Sequence, residues 1–401
     1  MLGGTCRFLA LVDNLSAPIM TDILRQEIAA IATTLVVKVG TQVLTRDDGQ
    51  LNQARIDQLA RQLHDVVASG RKVVLVSSGA VGAGMGRLGM TQRPTDLPRL
   101  QAVAAIGQSL LVEAYERALS PYGHHAAQVL LTAEDLEHRA RYLNARNTLL
   151  TLLELGAIPI INENDTVSVE ELHTTFGDND RLAAIVTNLI RAPLLVLLTD
   201  VDGLYDGDPH QAGSKIIHTV ERLDHSIYDL VRDKKGGRGK GGMASKLEAA
   251  RLCTSAGENL IIASGRDSEV LPKIVAGEVV GTLFLTQCQS LAARKRWIGF
   301  TVKPRGLLQL DAGAKEAIQR KGRSLLAAGV MEVSGHFAKG DVVALRGLDG
   351  TEIARGLINY GHEDLARIKG LRTSQIADIL GECPYEEVIH RDNMVVTSLA
   401  E

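Results

Sequence analysis

Two lysines stand where a phosphate-binding site would need positive charge. Lys38 lies in the string Val-Val-Lys-Val-Gly-Thr, near the end of a predicted buried strand, where a lysine is costly unless its ammonium group reaches a partner. Lys246 follows the glycine-rich segment 236–242 and begins a predicted helix, an arrangement suited to enclosing nucleotide phosphates. A strand-end lysine that extends to solvent and a flexible linker are the alternative interpretations.

Polar clusters near predicted strand ends could bind a small zwitterion. They lie at residues 77–82, 161–165 and 199–200, and a further acid–amide cluster at 177–180 begins a predicted helix. Ligands of open α/β sheets bind beyond the carboxyl ends of the strands. Carboxylates there can hold an α-ammonium group, while amides and backbone N–H groups can hold a carboxylate or a phosphate. Taken singly, each cluster could instead be a tight turn or a helix N-cap.

The sequence lacks the common nucleotide-binding signatures. Gly239-Lys240 is followed by Gly241 where a Walker A motif needs Ser or Thr, and protein-kinase signatures are missing. The pattern Gly-x-Gly-x-x-Gly occurs at 84–89 and at 237–242. Neither copy directly follows a predicted strand, which disfavours a dinucleotide site.

The elements that must position these residues alternate along the chain. Continuous apolar runs predict strands buried on both faces of a parallel sheet, at 35–39, 72–77, 126–131, 158–161, 194–198 and 260–263. The intervening segments predict helices at 53–69, 100–119, 139–155, 180–190 and 245–256. This alternation is typical of a layered α/β domain.

The pattern changes after residues 294–304. Short predicted strands at 306–310, 341–346 and 352–358, with a helix at 312–321, indicate a small, mostly β module. Residues 1–30 are predicted to be an accessory extension with an amphipathic helix that begins near Met20. The predicted domains are therefore 1–30, 31–298 and 304–392.

Composition excludes several classes of protein. The 401 residues are 45% hydrophobic and 23% charged, as in ordinary globular proteins, and the net charge of -3 gives no bulk attraction to nucleic acid or anionic membranes. The four cysteines are scattered, so no zinc or redox pair is indicated, and this usage fits a reducing compartment. No apolar run approaches the ~20 residues of a membrane span. We expect a cytoplasmic protein that does not associate with membranes.

Taken in order, the motifs resemble those of the amino-acid kinase family over about residues 34–392. The strings are Val-Val-Lys-Val-Gly-Thr, Ser-Ser-Gly-Ala, Ile-Asn-Glu-Asn-Asp, Gly-Asp-Asn-Asp, Leu-Leu-Thr-Asp and Gly-Gly-Met-x-x-Lys. The resemblance implies a three-layer αβα sandwich with a mainly parallel open sheet, followed by a small, mostly β barrel similar to a PUA domain. It also implies transfer of a phosphoryl group from ATP, with Mg²⁺, to the side-chain carboxylate of L-glutamate, the first step of proline synthesis.

The resemblance assigns roles by position. Lys38 and Lys246 would contact the nucleotide phosphates, Asp180 would orient both lysines, and Asp178 would lie beside the reacting centre. Glutamate would be bound by Ser78, Asp165 and Asn179. The ATP site would be lined by Lys38, Thr199, Asp200, Lys240, Gly241, Gly242, Met243, Ala244, Ser245 and Lys246. Lys240 stands where the family usually has a small threonine-like residue, and Mg²⁺ would be held mainly by ATP without a direct protein ligand.

The resemblance also implies binding partners and leaves alternative functions open. Proline is the expected feedback inhibitor, a glutamyl phosphate reductase is an expected partner, and a homo-oligomer is expected. Related kinases of N-acetylglutamate, aspartate, carbamate or UMP are the nearest alternatives. An RNA-binding role, suggested by the tail alone, is disfavoured by the negative net charge and the missing aromatic RNA-binding motif.

Overall fold

A computed structural model describes residues 17–46, 50–167, 179–209, 211, 213–232, 242–286 and 293–397. The described residues divide into two compact units. Residues 17–132 and 146–286 form the first unit, and residues 133–145 and 293–397 form the second.

The described helices are α1 (Ala17–Ile31), α2 (Thr41–Leu44), α3 (Gln53–Ala68), α4 (Ala80–Arg87), α5 (Leu97–Leu119), α6 (Ala133–Glu137), α7 (Arg139–Glu154), α8 (Asn179–Ile190), α9 (His225–Arg232), α10 (Met243–Ala256), α11 (Val270–Val275), α12 (Ala293–Arg296), α13 (Ala312–Gln319), α14 (His362–Ile368) and α15 (Ile376–Leu380). Each helix predicted from the sequence is present, with ends shifted by a few residues.

An eight-stranded sheet forms the centre of the first unit. Its strands are β1 (Thr34–Val39), β2 (Lys72–Ser77), β3 (Ala126–Leu131), β4 (Ile158–Glu163), β5 (Leu194–Thr199), β6 (Thr219–Val220), β7 (Asn259–Ser264) and β8 (Thr282–Phe284). The order across the sheet is β3-β4-β2-β1-β5-β7-β8-β6, and every pair is parallel except β7 with β8. The predicted α/β fold with a mainly parallel sheet is confirmed.

Helices cover both faces of this sheet. Successive side chains of a strand point to opposite faces, so Val37 and Val39 of β1 pack in one core cluster with Ile56 and Leu63 of α3. Lys38, between them, points to the other face and reaches the first turn of α8. The central strands β4 and β5 are buried along their whole length, as the continuous apolar runs predict.

Helix α1, which lies almost wholly within the predicted extension 1–30, packs into the first unit. Ile28 and Ala29 are buried, and Arg25 is only 3% exposed. The Arg25 guanidinium donates hydrogen bonds to the carbonyl oxygens of Val280 and His218, at 2.7 and 2.6 Å. A buried guanidinium is tolerated here because backbone acceptors replace the water that it loses.

Helices α4 and α5 approach each other through glycine. A Cβ atom added to Gly84 would lie 1.9 Å from the carbonyl oxygen of Val103, and one added to Gly107 would lie 1.7 Å from that of Ala80. Only a residue without a side chain allows these two helices to lie so close. Gly79, just before α4, has a φ of 109°, so the loop after β2 also depends on glycine.

The second unit is built on a five-stranded sheet, ordered β10-β9-β11-β12-β13. Its strands are β9 (Gly306–Leu310), β10 (Val330–Gly335), β11 (Val342–Arg346), β12 (Glu352–Leu357) and β13 (Met394–Val396). Arg296 and Trp297, in the stretch where the sequence pattern changes, are buried, and the Trp297 indole N–H donates to the Leu136 carbonyl at 3.1 Å. The predicted mostly β module at the end of the chain is confirmed.

The contact between α4 and α5 predicts the effect of a single methyl group. Replacing Gly107 with alanine should destabilise the protein by roughly 1–3 kcal/mol, because overpacking outweighs the helix propensity gained. Ser109→Ala, at an exposed position of the same helix, should change stability by no more than about 0.5 kcal/mol. Urea denaturation of both variants measures the difference, and an unchanged or raised midpoint for Gly107→Ala would contradict the contact.

Candidate active site

One buried carboxylate pairs with both predicted phosphate-binding lysines. Lys38 Nζ lies 2.6 Å from Asp180 Oδ1, and Lys246 Nζ lies 3.0 Å from Asp180 Oδ2. Asp180 has no exposed surface, and the two lysines are 6% and 5% exposed. The Ser245 hydroxyl donates to Asp180 Oδ2 at 3.1 Å. The structure therefore brings together four of the residues predicted from the sequence, carrying two positive charges and one negative charge.

The elements that hold this cluster are a strand end and two helix starts. Lys38 is the fifth residue of β1, Asp180 the second residue of α8 and Lys246 the fourth residue of α10. A carboxylate in the first turn of a helix interacts favourably with the helix dipole. Gly40 follows β1 closely enough that an added Cβ would lie 3.6 Å from Lys38 Nζ. A Cβ atom at Gly40 would therefore be in ordinary van der Waals contact with the ammonium group.

The two lysines control the charge of Asp180. Burial on its own would raise the pKa of the Asp180 carboxyl, but the charges and hydrogen bonds of Lys38 and Lys246 lower it below its usual value. The carboxylate therefore stays ionised in the folded protein at neutral pH. Two ammonium groups thus lie around one carboxylate in a largely buried setting.

A chain of amide groups lies beside the lysine cluster. Asn179, which precedes Asp180, donates through Nδ2 to Ser78 Oγ at 2.7 Å, to the Ser77 carbonyl at 3.1 Å and to Asn162 Oδ1 at 3.0 Å. Asn162 Nδ2 in turn donates to Gln108 Oε1 at 2.8 Å. The structure thus brings Ser78 and Asn179, both predicted to bind substrate, into direct contact.

The remaining described site residues lie at or near the same edge of the sheet. Asp165 follows β4 and is partly exposed. Thr199 ends β5, and its hydroxyl donates to the exposed Asp200 carboxylate at 2.9 Å. Gly242 is the N-cap residue of α10, which begins with Met243 and Ala244. Asp178, Lys240 and Gly241 lie outside the described residues.

Two residues in contact with this site were missed by the sequence analysis. Gln108 is buried on α5 and supports Asn162. Tyr115 lies two turns further along α5. Its hydroxyl is 2.9 Å from Ser77 Oγ, and burial raises the pKa of the Tyr115 phenol. A polar residue on the apolar face of a predicted helix is the only signal that could have pointed to Gln108.

Comparison with known proteins identifies the family of this fold. Residues 33–264 match the Amino acid kinase family, and residues 306–380 match the PUA domain. The chain belongs to the amino acid kinase family, and the predicted resemblance is confirmed.

Two similar curated proteins carry the same name. A protein named Glutamate 5-kinase from Rhodopirellula baltica is 52% identical over 94% of this chain and 97% of its own length. A Glutamate 5-kinase from Caldanaerobacter subterraneus subsp. tengcongensis is 47% identical over 92% of this chain and 98% of its own length. Among solved structures, carbamate kinase from Giardia lamblia bound to AMP-PNP is 16% identical, with a TM-score of 0.48, covering 64% of this chain and all of that one.

Two kinds of feature are absent from the described ranges. No helix among the described residues is long and apolar enough to cross a membrane. Across the same ranges, no group of three or more His, Cys, Asp or Glu side chains is arranged to hold a metal ion.

The shared carboxylate predicts a pH-dependent loss of stability. Because the folded-state pKa of Asp180 is lowered, its ion pairs stabilise the protein above the unfolded-state pKa of about 3.9 and are lost as the pH falls through the folded-state value. Asp180→Asn should therefore cost roughly 3–5 kcal/mol at pH 7, since it leaves two buried ammonium groups without their partner. The difference from the original protein should narrow below about pH 4.

Asp267→Asn is the matched control, because Asp267 forms a partly exposed pair with Lys273 at 2.7 Å. This variant should lose no more than about 1 kcal/mol. Urea denaturation of both variants between pH 3 and pH 7 measures the two effects. Equal losses at pH 7, or a gap for Asp180→Asn that does not depend on pH, would refute the electrostatic account.

Proposed function

We propose that this chain transfers the γ-phosphoryl group of ATP to the side-chain carboxylate of L-glutamate, giving L-glutamyl 5-phosphate and ADP as the first step of proline synthesis. The observation that carries the proposal is the buried cluster of Lys38, Asp180 and Lys246 next to the hydrogen-bonded pair of Ser78 and Asn179. The shared name of relatives 47–52% identical over nearly the whole chain supports it.

The acceptor needs no general base. A glutamate side chain has a pKa near ~4.3, so its carboxylate is already ionised and nucleophilic at neutral pH. In the proposed complex, Ser78 and Asn179 contact the glutamate, and Asp165 holds its α-ammonium group by charge. The reaction then depends on alignment and on stabilisation of charge rather than on proton transfer.

The lysines supply that stabilisation. Both the nucleophile and the γ-phosphate are anionic, so bringing them together is opposed by charge repulsion. Lys38 and Lys246 place two ammonium groups around one carboxylate, and we assign them to the transferring phosphoryl group and the β,γ-phosphates. Asp180 orients both amines, and Asp178 is assigned to a place beside the reacting centre. Thr199, Asp200 and the residues 240–246 are assigned to the nucleotide.

Magnesium enters the proposal with the nucleotide. Mg²⁺ prefers phosphate oxygens and waters, supplemented by one or two carboxylates, and when bound it offsets phosphate charge. The described side chains nearest the proposed phosphate site are cations, so they suit the phosphate oxygens rather than the metal. We therefore assign the metal to ATP.

The proposal extends to regulation and assembly. From the family resemblance we propose a cytoplasmic homo-oligomer, inhibited by proline near the glutamate pocket. The acyl phosphate product is labile, so a glutamyl phosphate reductase is the proposed consumer. The second unit, which matches the PUA domain, is assigned to regulation or assembly.

A substrate panel tests the proposed activity. ADP release should require L-glutamate, and N-acetylglutamate, aspartate, carbamate and UMP should each support less than about a hundredth of that rate, because an unpaired polar group in the pocket penalises an altered substrate. Proline should lower the rate with glutamate. A faster rate with any of the four analogues would reassign the enzyme within its family.

The lysine roles predict large losses of kcat. Removing a well-placed charge that interacts by about 4 kcal/mol at an effective dielectric near 20 should slow the reaction by roughly two to three orders of magnitude. Lys38→Ala and Lys246→Ala should each show this loss while remaining folded by circular dichroism. Lys273→Ala, which removes a surface lysine, should keep nearly full kcat. A near-normal kcat in either site variant would remove that lysine from the mechanism.

A further inference from the structure

The amide chain beside the active site ends in a buried donor that has no acceptor. Gln108 is 8% exposed and Asn162 is 4% exposed, so both amides are largely removed from water. Gln108 Oε1 accepts from Asn162 Nδ2 at 2.8 Å. Gln108 Nε2 has no hydrogen-bond partner among the described residues. Because an unsatisfied buried donor lowers stability, its retention calls for a compensating role.

The Ser77 carbonyl fixes the direction of each hydrogen bond among these amides. The Ser77 carbonyl can only accept, so the atom of Asn179 that lies 3.1 Å from it must be the amide nitrogen. The same nitrogen lies 3.0 Å from Asn162, which must therefore present its oxygen to Asn179 and its nitrogen to Gln108. Gln108 must then present its oxygen. Reversing any one amide would set donor against donor or acceptor against acceptor.

Helix α5 holds Gln108 in place independently of this chain. The neighbouring Gly107 packs against the Ala80 carbonyl so closely that a Cβ atom would lie 1.7 Å away. Tyr115, two turns further on, contacts the Ser77 hydroxyl at 2.9 Å. The helix is thus anchored on both sides of Gln108 to the segment that carries Ser78.

We propose that Gln108 is a positioning residue for the acceptor substrate. Its oxygen holds Asn162 in the one orientation that accepts from Asn179, so that the Asn179 carbonyl oxygen, the only polar atom of that side chain not used in the chain, faces a ligand. This inference rests on the proposed function, because it assigns the ligand of Asn179 to the glutamate acceptor. It places Gln108 outside direct contact with substrate.

Two substitutions separate positioning from a merely structural role. Gln108→Met removes the acceptor for Asn162 and leaves a side chain of similar volume. Gln108→Glu keeps an acceptor oxygen at the same position and replaces only the amide nitrogen that has no partner. In its protonated form the introduced carboxyl reproduces both the acceptor and the donor of the original amide.

Steady-state kinetics with varied glutamate and varied ATP give the readout. We expect Gln108→Met to raise the KM for glutamate about tenfold, which corresponds to about 1.4 kcal/mol. Its kcat and its KM for ATP should stay within about twofold, because a positioning group for the acceptor acts on binding of that substrate alone. We expect Gln108→Glu to restore the KM for glutamate to within about threefold, more fully at lower pH.

Gln62→Met is the matched control. It makes the same substitution at another buried glutamine, whose Oε1 accepts from the Leu271 N–H at 3.0 Å, and it leaves the amide chain intact. It should lower the denaturation midpoint while leaving the KM for glutamate within about twofold. If Gln108→Met likewise leaves that KM within about twofold, or if the Met and Glu variants share one KM for glutamate, Gln108 has a structural role only and the inference falls.

The original protein provides the separate test of the function itself. If it releases no ADP in response to glutamate, the proposed function fails and the assignment of the ligand of Asn179 falls with it. If it is active with glutamate and Gln108→Met has an unchanged KM, the function stands and only the role of Gln108 is refuted.

Discussion

The active site depends on a carboxylate that two buried ammonium groups share. Burying any one of these charges alone would cost more free energy than the fold can supply. Even in a buried ion pair, the attraction often only offsets the cost of desolvation. Here the arrangement holds both ammonium groups at fixed positions around one carboxylate. Charges in a buried setting act on one another more strongly than they would in water. In the proposed function, both lysines are therefore in place before the phosphates enter the site.

The scaffold around this carboxylate follows from the same requirement. Charges converge only if a strand end and two helix starts meet, and a parallel sheet brings the carboxyl ends of its strands to one edge. Alternation along β1 directs Lys38 to the α8 face while Val37 and Val39 remain in the core. On the acceptor side, the close glycine contacts between α4 and α5 fix the loop that carries Ser78. Helix packing thus positions Ser78, and ion pairs position the two lysines, at the same edge of the sheet.

Much of this architecture could be predicted from sequence. The strands β2 and β3 have the predicted bounds, because their apolar runs are long and sharply bounded. The strands β6 and β8 are two and three residues long, which is too short for a periodic pattern of apolar residues to be recognised. Helix α5 begins at Leu97, earlier than predicted, although Asp96 as N-cap and a proline in the first turn were readable signals.

The lysines and the acidic helix start were predictable for a different reason. A charged residue inside an apolar run, or an acid–amide cluster at a helix start, stands out locally, which is why Lys38 and Asp180 were found. Gln108 does not stand out, since one glutamine in an amphipathic helix has no distinctive context. Its role follows only from a contact with Asn162, 54 positions further along the chain. Local pattern identifies groups that carry charge, whereas groups that orient other groups are identified only by tertiary contacts.

The position of Arg25 has a consequence for the order of folding. Its acceptors, His218 and Val280, lie 193 and 255 positions later in the chain. During translation, helix α1 leaves the ribosome before the sheet does, so the Arg25 guanidinium cannot reach those carbonyl groups until almost the whole sheet has been synthesised. Contacts of such long sequence separation form slowly and late. Helix α1, the first of the described helices, is thus among the last to dock, and its apolar side must stay shielded from aggregation for most of synthesis.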